Sequence, residues 1–292
     1  MITETMTYEK KFATVDGKRI AYVDVGSGDP IVLLHGNPTS SFLWRNVIPE
    51  LEGSGRVIAP DLIGQGDSDK LPASDGVDRY SFEVAYHYLA GLLKELGAEE
   101  KVTLVVHDWG SGLGFHWAMN NPDAIHGVAY MEAIVCPLNW DDWPEGARGI
   151  FKGFRSDKGE DLILNRNMFV EAVLPTSVIR ELTEKEMAAY REPFSSSDDR
   201  QPTLNWPRHI PIDGEPAHMV DLVNAYGAFM AGSDIPKLFI NADPGSILTG
   251  PAREFCRQWP NQKEVTVNGL HFVQEDSPVE IGQAVANWLT NI

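Results

Sequence analysis

The stretch from Lys101 to Met119, KVTLVVHDWGSGLGFHWAM, restricts the fold more than any other part of the chain. Val102, Leu104, Val105 and Val106 form a short run of branched and aliphatic residues, the composition of a strand buried on both faces. His107 and Asp108 end that run. Gly110, Gly112 and Gly114 then interleave with Leu113, Phe115 and Trp117, so the chain turns sharply and resumes as a helix packed closely on a sheet. A polar side chain at such a turn is held up and exposed, a place that suits a nucleophile, and here it is Asp108. Ordinary βα junctions of open sheets share this pattern, so the rest of the chain has to decide its meaning.

Read in order, Phe12-Ala13-Thr14-Val15 and Lys18 to Val23 flank Asp16-Gly17 as a tight hairpin, expected to run antiparallel at one sheet edge. Ile31 to Leu34 is a buried strand that leads into His35-Gly36-Asn37-Pro38. Trp44, Val47 and Ile48 suggest a helix ending before Gly53. A strand at Arg56 to Ala59 precedes the loop PDLIGQGDSDK, whose spacing is not that of a calcium loop and which reads as a turn with capping carboxylates. Ser81 to Leu96 has helical periodicity with Ser81 as N-cap and Gly97 as stop, and Ile125 to Met131 is the next strand. Strands alternating with helices imply a parallel sheet with helices on both faces.

The alternation breaks after Ile134. To about Glu215 no strand is evident, and helical stretches are divided by Pro137, Pro144, Pro175, Pro193, Pro202, Pro207 and Pro211. Trp140, Trp143, Phe151, Phe154, Phe169, Phe194 and Trp206 make this segment aromatic enough to roof an apolar pocket. The α/β pattern resumes with a strand at Lys237 to Ile240, a helix near Pro251 to Trp259, a strand at Glu264 to Val267 and a last helix from Ser277 to Leu289. The expected division is a core of residues 1–133 and 215–292 with a helical cap at 134–214 inserted after the sixth strand.

The 292 residues fit one large domain, or one domain carrying an insertion. A net charge of -18 argues against nucleic acid or anionic membrane surfaces as partners. Cys136 and Cys256 are too few for a disulfide framework or a zinc pattern, and the N-terminal MITETMTYEKK has no apolar signal core. No apolar run is long enough to span a bilayer, so a cytoplasmic protein, monomer or small homo-oligomer, is expected.

Order along the chain then gives Asp108 its company. A nucleophile after a central strand, an acid after a later strand and a histidine after the last one is the α/β-hydrolase arrangement, and Asp108, Glu132 and His271 occupy those places. HGNPTSSFLWR from His35, DLIGQGDSDK from Asp61, VVHDWGSGLGFHWA from Val105, YMEAIV from Tyr130 and IPKLFINADPG from Ile235 together resemble the haloalkane dehalogenases. The resemblance spans nearly the whole chain. It implies a mostly parallel eight-stranded sheet and hydrolysis of a carbon-halogen bond to a primary or secondary alcohol, halide and proton through an alkyl ester of Asp108. No metal or cofactor is implied, and a halogenated alkane is the partner.

An aspartate suits this reaction because a carboxylate is ionised without a base, and a helix N-terminus would hold it anionic. By the resemblance, the side-chain N–H groups of Asn37 and Trp109 would receive the leaving halide, and Phe151, Phe154, Phe169, Pro207 and Leu248, with Ile134, Trp206 and Leu270, would wall the pocket. His271 would activate water against the ester, oriented by Glu132. Asp243, after the strand at Lys237 to Ile240, occupies the acid position of many other α/β hydrolases; the likeness at YMEAIV favours Glu132. His35 and His107 are expected to hold loops. His87, His116, His126, His209 and His218 stand in no ligand pattern.

Three other functions fit parts of the sequence. An epoxide hydrolase shares the aspartyl ester but needs acidic hydroxyls from the cap, usually two tyrosines, where only Tyr190 stands between Ile134 and Gly214. A haloacid hydrolase would aim an arginine such as Arg148, Arg155 or Arg166 at the substrate carboxylate. A non-catalytic ligand sensor on the same fold would have no use for an intact nucleophile, acid and histidine.

Overall fold

Eight strands form one sheet in the computed structural model, which describes residues 2–292. They are β1 (Lys11–Val15), β2 (Lys18–Gly26), β3 (Pro30–Leu34), β4 (Arg56–Pro60), β5 (Val102–Asp108), β6 (Ile125–Ala133), β7 (Lys237–Pro244) and β8 (Gln262–Gly269). The spatial order is β1-β2-β4-β3-β5-β6-β7-β8. β1 and β2 are antiparallel to their neighbours and all other pairings are parallel, as the Asp16-Gly17 hairpin and the later alternation imply. Asp16 and Gly17 have φ of 46° and 75°, the left-handed pair that a two-residue hairpin turn requires.

Every residue of β5 is buried, because the strand lies between β3 and β6 and is covered on both faces. Leu104 and Val106 pack with the helices α1 (Phe82–Glu95) and α2 (Trp109–Asn120) on one side. Val105 points the other way, toward Trp44, Ile48 and the C-terminal helix. The period-two alternation of a strand therefore divides one hydrophobic run between two cores. Ser81 caps α1 through the Val84 N–H, and Gly97 closes it at φ 64°.

Between β6 and β7 lie α3 (Glu145–Phe154), α4 (Glu184–Arg191), α5 (Gln201–His209) and α6 (Ala217–Gly232), with no named strand. After β7 come α7 (Gly250–Arg257), one helical turn at Val273–Asp276 and the C-terminal α8 (Pro278–Leu289). Phe42, after β3, and Phe272, after β8, cluster with Val170, Leu174 and Tyr190 from the segment between β6 and β7. Beside them the buried Arg45 guanidinium pairs with Glu186 on α4 at 2.7 Å and with Glu275 at 2.6 Å.

The single helix expected around Trp44 to Ile48 is divided into a 3-10 turn at Ser41–Trp44 and one helical turn at Ile48–Leu51. Pro49 lacks the N–H that a continuous helix would donate to the Arg45 carbonyl. The PDLIGQGDSDK loop is held as a capped turn: the buried Asp61 carboxylate accepts the N–H groups of Ser41 and Asp67, both at 2.8 Å, and Lys10 Nζ at 2.6 Å.

Candidate active site

Asp108 ends β5 with φ 50° and ψ -130°, a backbone conformation that costs a non-glycine residue about 1–3 kcal/mol. Two glycines make room for it. A Cβ on Gly110 would come within 2.3 Å of the Leu34 carbonyl oxygen, and one on Gly36 would lie 2.0 Å from Asp108 Oδ1. The Asp108 carbonyl accepts the Ser111 hydroxyl, whose oxygen accepts the Ile134 N–H at 2.9 Å. Oδ1 accepts the backbone N–H of Asn37 at 2.7 Å. Burial pushes the carboxyl upward, but the hydrogen bond and charge of His271 and the Trp109 N–H outweigh it and hold Asp108 below its usual range. It is an anion at neutral pH.

His271 comes from the loop after β8. Its Nε2 lies 3.4 Å from Asp108 Oδ2 and its Nδ1 3.2 Å from Glu132 Oε2. Burial works against a charge on the imidazole, yet the two carboxylates raise it from 6.5 to about 9. Glu132 sits at the end of β6 with φ 41°, and its Oε2 also accepts the N–H groups of Ser246 (3.1 Å) and Ile247 (2.8 Å). Asp243, the other candidate acid, is exposed at the end of β7, while Glu132 is buried against the imidazole.

The two neighbouring histidines hold loops, as expected. Burial, with the charge of His271 adding to it, drives His107 down to about 3, so the neutral ring donates Nε2–H to the His271 carbonyl at 2.8 Å. His35 is driven by burial to about 4; its Nδ1 lies 2.8 Å from the Gly36 carbonyl and its Nε2 accepts the Leu62 N–H at 3.0 Å.

These groups open on a cavity with about 540 Å³ of atom-free space, its mouth included. Asn37, Trp109, Ile134, Phe151, Phe169 and Pro207 line it. The Asn37 amide is buried there with neither its nitrogen nor its oxygen partnered. Trp109, the other expected halide donor, lies against Trp206 with indole centroids 5.1 Å apart, and its Nε1–H donates to the Trp206 carbonyl at 3.1 Å.

Two expected wall residues stand behind the wall. Phe154 is fully buried, stacked on Phe169 at 5.5 Å and edge-on to Phe151 at 5.6 Å, so those rings screen it from the cavity. Leu248 is turned into the core; Ser246 and Ile247, held by the Glu132 carboxylate, occupy the wall instead. Trp206 backs Trp109, and Leu270 lines an outer groove that shares Pro144, Ala147, Val173, Ser177 and Ser246 with the cavity. The sequence reading missed Ala147, Val173, Ser177, Ile210 and Ile247 as lining residues. Ala147 was within reach, standing one helical turn before Phe151 on α3.

The groups that rival functions need are engaged elsewhere. Tyr190 gives its hydroxyl to Glu275. Arg155 donates to the carbonyls of Pro207, Ile210 and Glu215, Arg148 to those of Asp141 and Trp143, and Arg166 lies near Asp161 at the surface. Among the described residues no group of three or more His, Cys, Asp or Glu is placed to hold a metal ion. No helix among them is long and apolar enough to cross a membrane.

Residues 29–278 match the family model described as the alpha/beta hydrolase fold. A haloalkane dehalogenase of Sphingobium indicum is 54% identical over 285 residues, 97% of this chain and 96% of the relative. One from Mycolicibacterium smegmatis is 49% identical over 97% of this chain and 91% of its own. The crystal structure of a haloalkane dehalogenase from Bradyrhizobium elkani superposes with a TM-score of 0.90 at 40% identity, over 97% of each chain.

Proposed function

The chain belongs to the haloalkane dehalogenases, hydrolases of the α/β-hydrolase fold that act on carbon-halide bonds, and from that membership we propose how its own residues carry the reaction. Asp108 is the nucleophile. Its Oδ1 stays on the Asn37 N–H while Oδ2, bound only loosely to His271 at 3.4 Å, attacks the carbon bearing the halogen. The C–O bond forms as the C–X bond breaks, and the electron pair leaves with the halide. The unpartnered Asn37 amide donates to the departing anion, as does Trp109 once its N–H turns from the Trp206 carbonyl. Donors aimed at a charge that appears only as the bond breaks favour the transition state over the neutral alkane.

Esterification prepares the second step. Asp108 loses its charge and His271 loses the first of the partners that raise it to about 9, so the imidazole gives up a proton more readily. Neutral His271 then takes a proton from water, and the hydroxide adds to Cγ of Asp108. The oxyanion forms on Oδ1 at the Asn37 N–H, and Glu132 steadies the imidazolium. Collapse expels the alkoxide, which takes the proton of the tetrahedral hydroxyl and leaves as the alcohol; the carboxylate is restored, and the proton taken up by His271 is the one released with the halide.

Residues 134–214 act as a cap that closes an apolar, water-poor chamber over a core of 1–133 and 215–292. Every residue of the site comes from one chain, so a monomer or a small homo-oligomer in the cytoplasm is equally complete. The observation that carries the reading is one imidazole held between the carboxylates of Asp108 and Glu132 at the floor of an apolar cavity. An epoxide hydrolase is disfavoured because Tyr190 spends its hydroxyl on Glu275.

The test is mass spectrometry of His271→Ala after exposure to a 1-bromoalkane. An alkyl adduct on Asp108 with one equivalent of bromide released is expected. A variant that releases bromide without any adduct, or wild-type turnover in heavy-oxygen water that never labels the Asp108 carboxyl, would sink the ester mechanism.

A further inference from the structure

Gln65, in the middle of the DLIGQGDSDK loop, is fully buried. With its amide oriented so that both ends are satisfied, Nε2 donates to the carbonyl oxygens of Gly36 (3.0 Å) and Thr39 (3.1 Å), and Oε1 accepts the indole N–H of Trp206 (3.0 Å). Gly36 and Thr39 bracket Asn37 in the chain, and Trp206 lies on α5 of the cap. One side chain thus ties the loop that presents Asn37 to the helix that roofs the cavity. The chain of bonds continues back to the site, since the Trp206 carbonyl accepts Nε1–H of Trp109 at 3.1 Å.

We propose that Gln65 is a positioning residue that sets halide affinity, by fixing Trp206 so that its carbonyl competes with the halide for the single N–H of Trp109. The inference rests on Asn37 and Trp109 being the halide donors. An indole has one donor and no acceptor, so a bound halide must draw that N–H from the carbonyl or share it. Either way the ion is held less tightly than by a free indole, and product halide leaves more readily. Without Gln65 the Trp206 indole loses its acceptor, α5 loses its tie to the Asn37 loop, and the carbonyl no longer has a fixed place over Trp109.

The test is bromide titration of tryptophan fluorescence in the full-length enzyme, with bromide inhibition of alcohol formation from a 1-bromoalkane measured beside it. Gln65→Met keeps the buried volume and removes the amide; Trp206→Phe keeps the backbone carbonyl and removes Nε1–H. Each is expected to lower the bromide Kd about three- to tenfold, the effect of losing one competing hydrogen bond. The double variant is expected to bind no more tightly than either single one, because both act through the same bond. An unchanged or raised Kd in either folded variant, or additive shifts in the double variant, overturns the proposal. Asn37→Ala in the same titration separates the two levels: bromide binding that is not weakened there means the donor assignment itself has failed, and the role of Gln65 with it.

Discussion

One oxygen of Glu132 serves His271 and the chain that follows β7 at once: Oε2 lies 3.2 Å from the imidazole Nδ1 and accepts the N–H groups of Ser246 and Ile247. The carboxylate is therefore fixed whatever the charge on the imidazole, and it is aimed at Nδ1 by backbone N–H groups. Fixed dipoles of this kind need no rearrangement as charge moves.

Glu132→Gln keeps the shape and removes the charge. Alkylation of Asp108 does not need an imidazolium, so one equivalent of halide should still appear in a rapid phase. Ester hydrolysis should then slow by roughly 10²- to 10⁴-fold, the scale of effect when the acid of such a triad is neutralised. Rapid-quench measurement of halide and alcohol separates the two phases. Near-normal steady-state turnover in Glu132→Gln, with loss in Asp243→Asn, would move the role to Asp243.

The paired charges of Asp108 and His271 also carry a pH signature. His271 is raised in the folded protein from 6.5 to about 9, so its contribution to stability is full below about pH 6.5 and is lost as pH rises through about 9. Asp108 is held below its ordinary value, so its contribution is present above that value and lost as pH falls through the lowered one. The melting temperature of wild type relative to His271→Ala should decline between about pH 6.5 and 9. Single-turnover hydrolysis of the ester should titrate below that upper limit, because the ester no longer offers His271 the Asp108 anion. A flat melting difference across this window would show that the imidazole is not charged by its neighbours.

The sheet, its antiparallel edge and the turn at Asp108 were legible because each follows from local chemistry. The run of β-branched residues makes β5, Asp16-Gly17 makes the hairpin, and glycines after Asp108 allow the close approach of α2. The cavity wall was not legible at the level of single residues. Phe151 and Phe154 are both aromatic and both on α3, and only the stacking of Phe154 behind Phe169 decides which one faces the substrate. Leu248 and Ile247 differ by one position, and the choice is made by the Glu132 carboxylate more than a hundred residues away in sequence. The engagement of Trp109 by Trp206 joins two residues separated by 97 positions, and no periodic pattern announces it.

Gly36 should tolerate no side chain. Its backbone faces the nucleophile, and a Cβ there would lie 2.0 Å from Asp108 Oδ1 and 2.6 Å from Asp108 Cγ. Gly36→Ala must therefore push the carboxylate out of line, where an error of about 1 Å can cost on the order of 10²-fold in rate. The expected result is a folded protein with strongly slowed halide release and an unaltered far-ultraviolet circular dichroism spectrum. Retained activity would mean that the loop and nucleophile are less closely apposed than the 2.0 Å approach of an added Cβ implies.

The remaining prediction concerns the buried ion network that joins Arg45 to the segment between β6 and β7. Arg45, fully buried, donates to both oxygens of Glu275 at 2.6 and 2.8 Å and to Glu186 at 2.7 Å, while Arg180, from the segment between β6 and β7, reaches the same two glutamates. Replacing Arg45 by Met fills the space but leaves two buried carboxylates with one cation between them. Removing one partner from a buried ion network costs about 3–5 kcal/mol, because the charge left behind has no water. Urea unfolding should show a lower midpoint with an unchanged slope. Glu186, which burial pushes upward but the hydrogen bonds and charge of Arg180, helped by the Thr183 N–H and Arg45, hold down at about 2, adds a sign that can be checked. Its share of the stability is present above its ordinary value of 4.5 and lost as pH falls through about 2, so the gap between wild type and Arg45→Met should narrow across that interval. Glu275 stands four positions after His271, in the turn that follows it. Turnover measured well below the variant's melting point is nevertheless expected to fall little, because Arg45 touches neither His271 nor the cavity; a large loss of turnover there would make Arg45, through Glu275, part of the arrangement of His271.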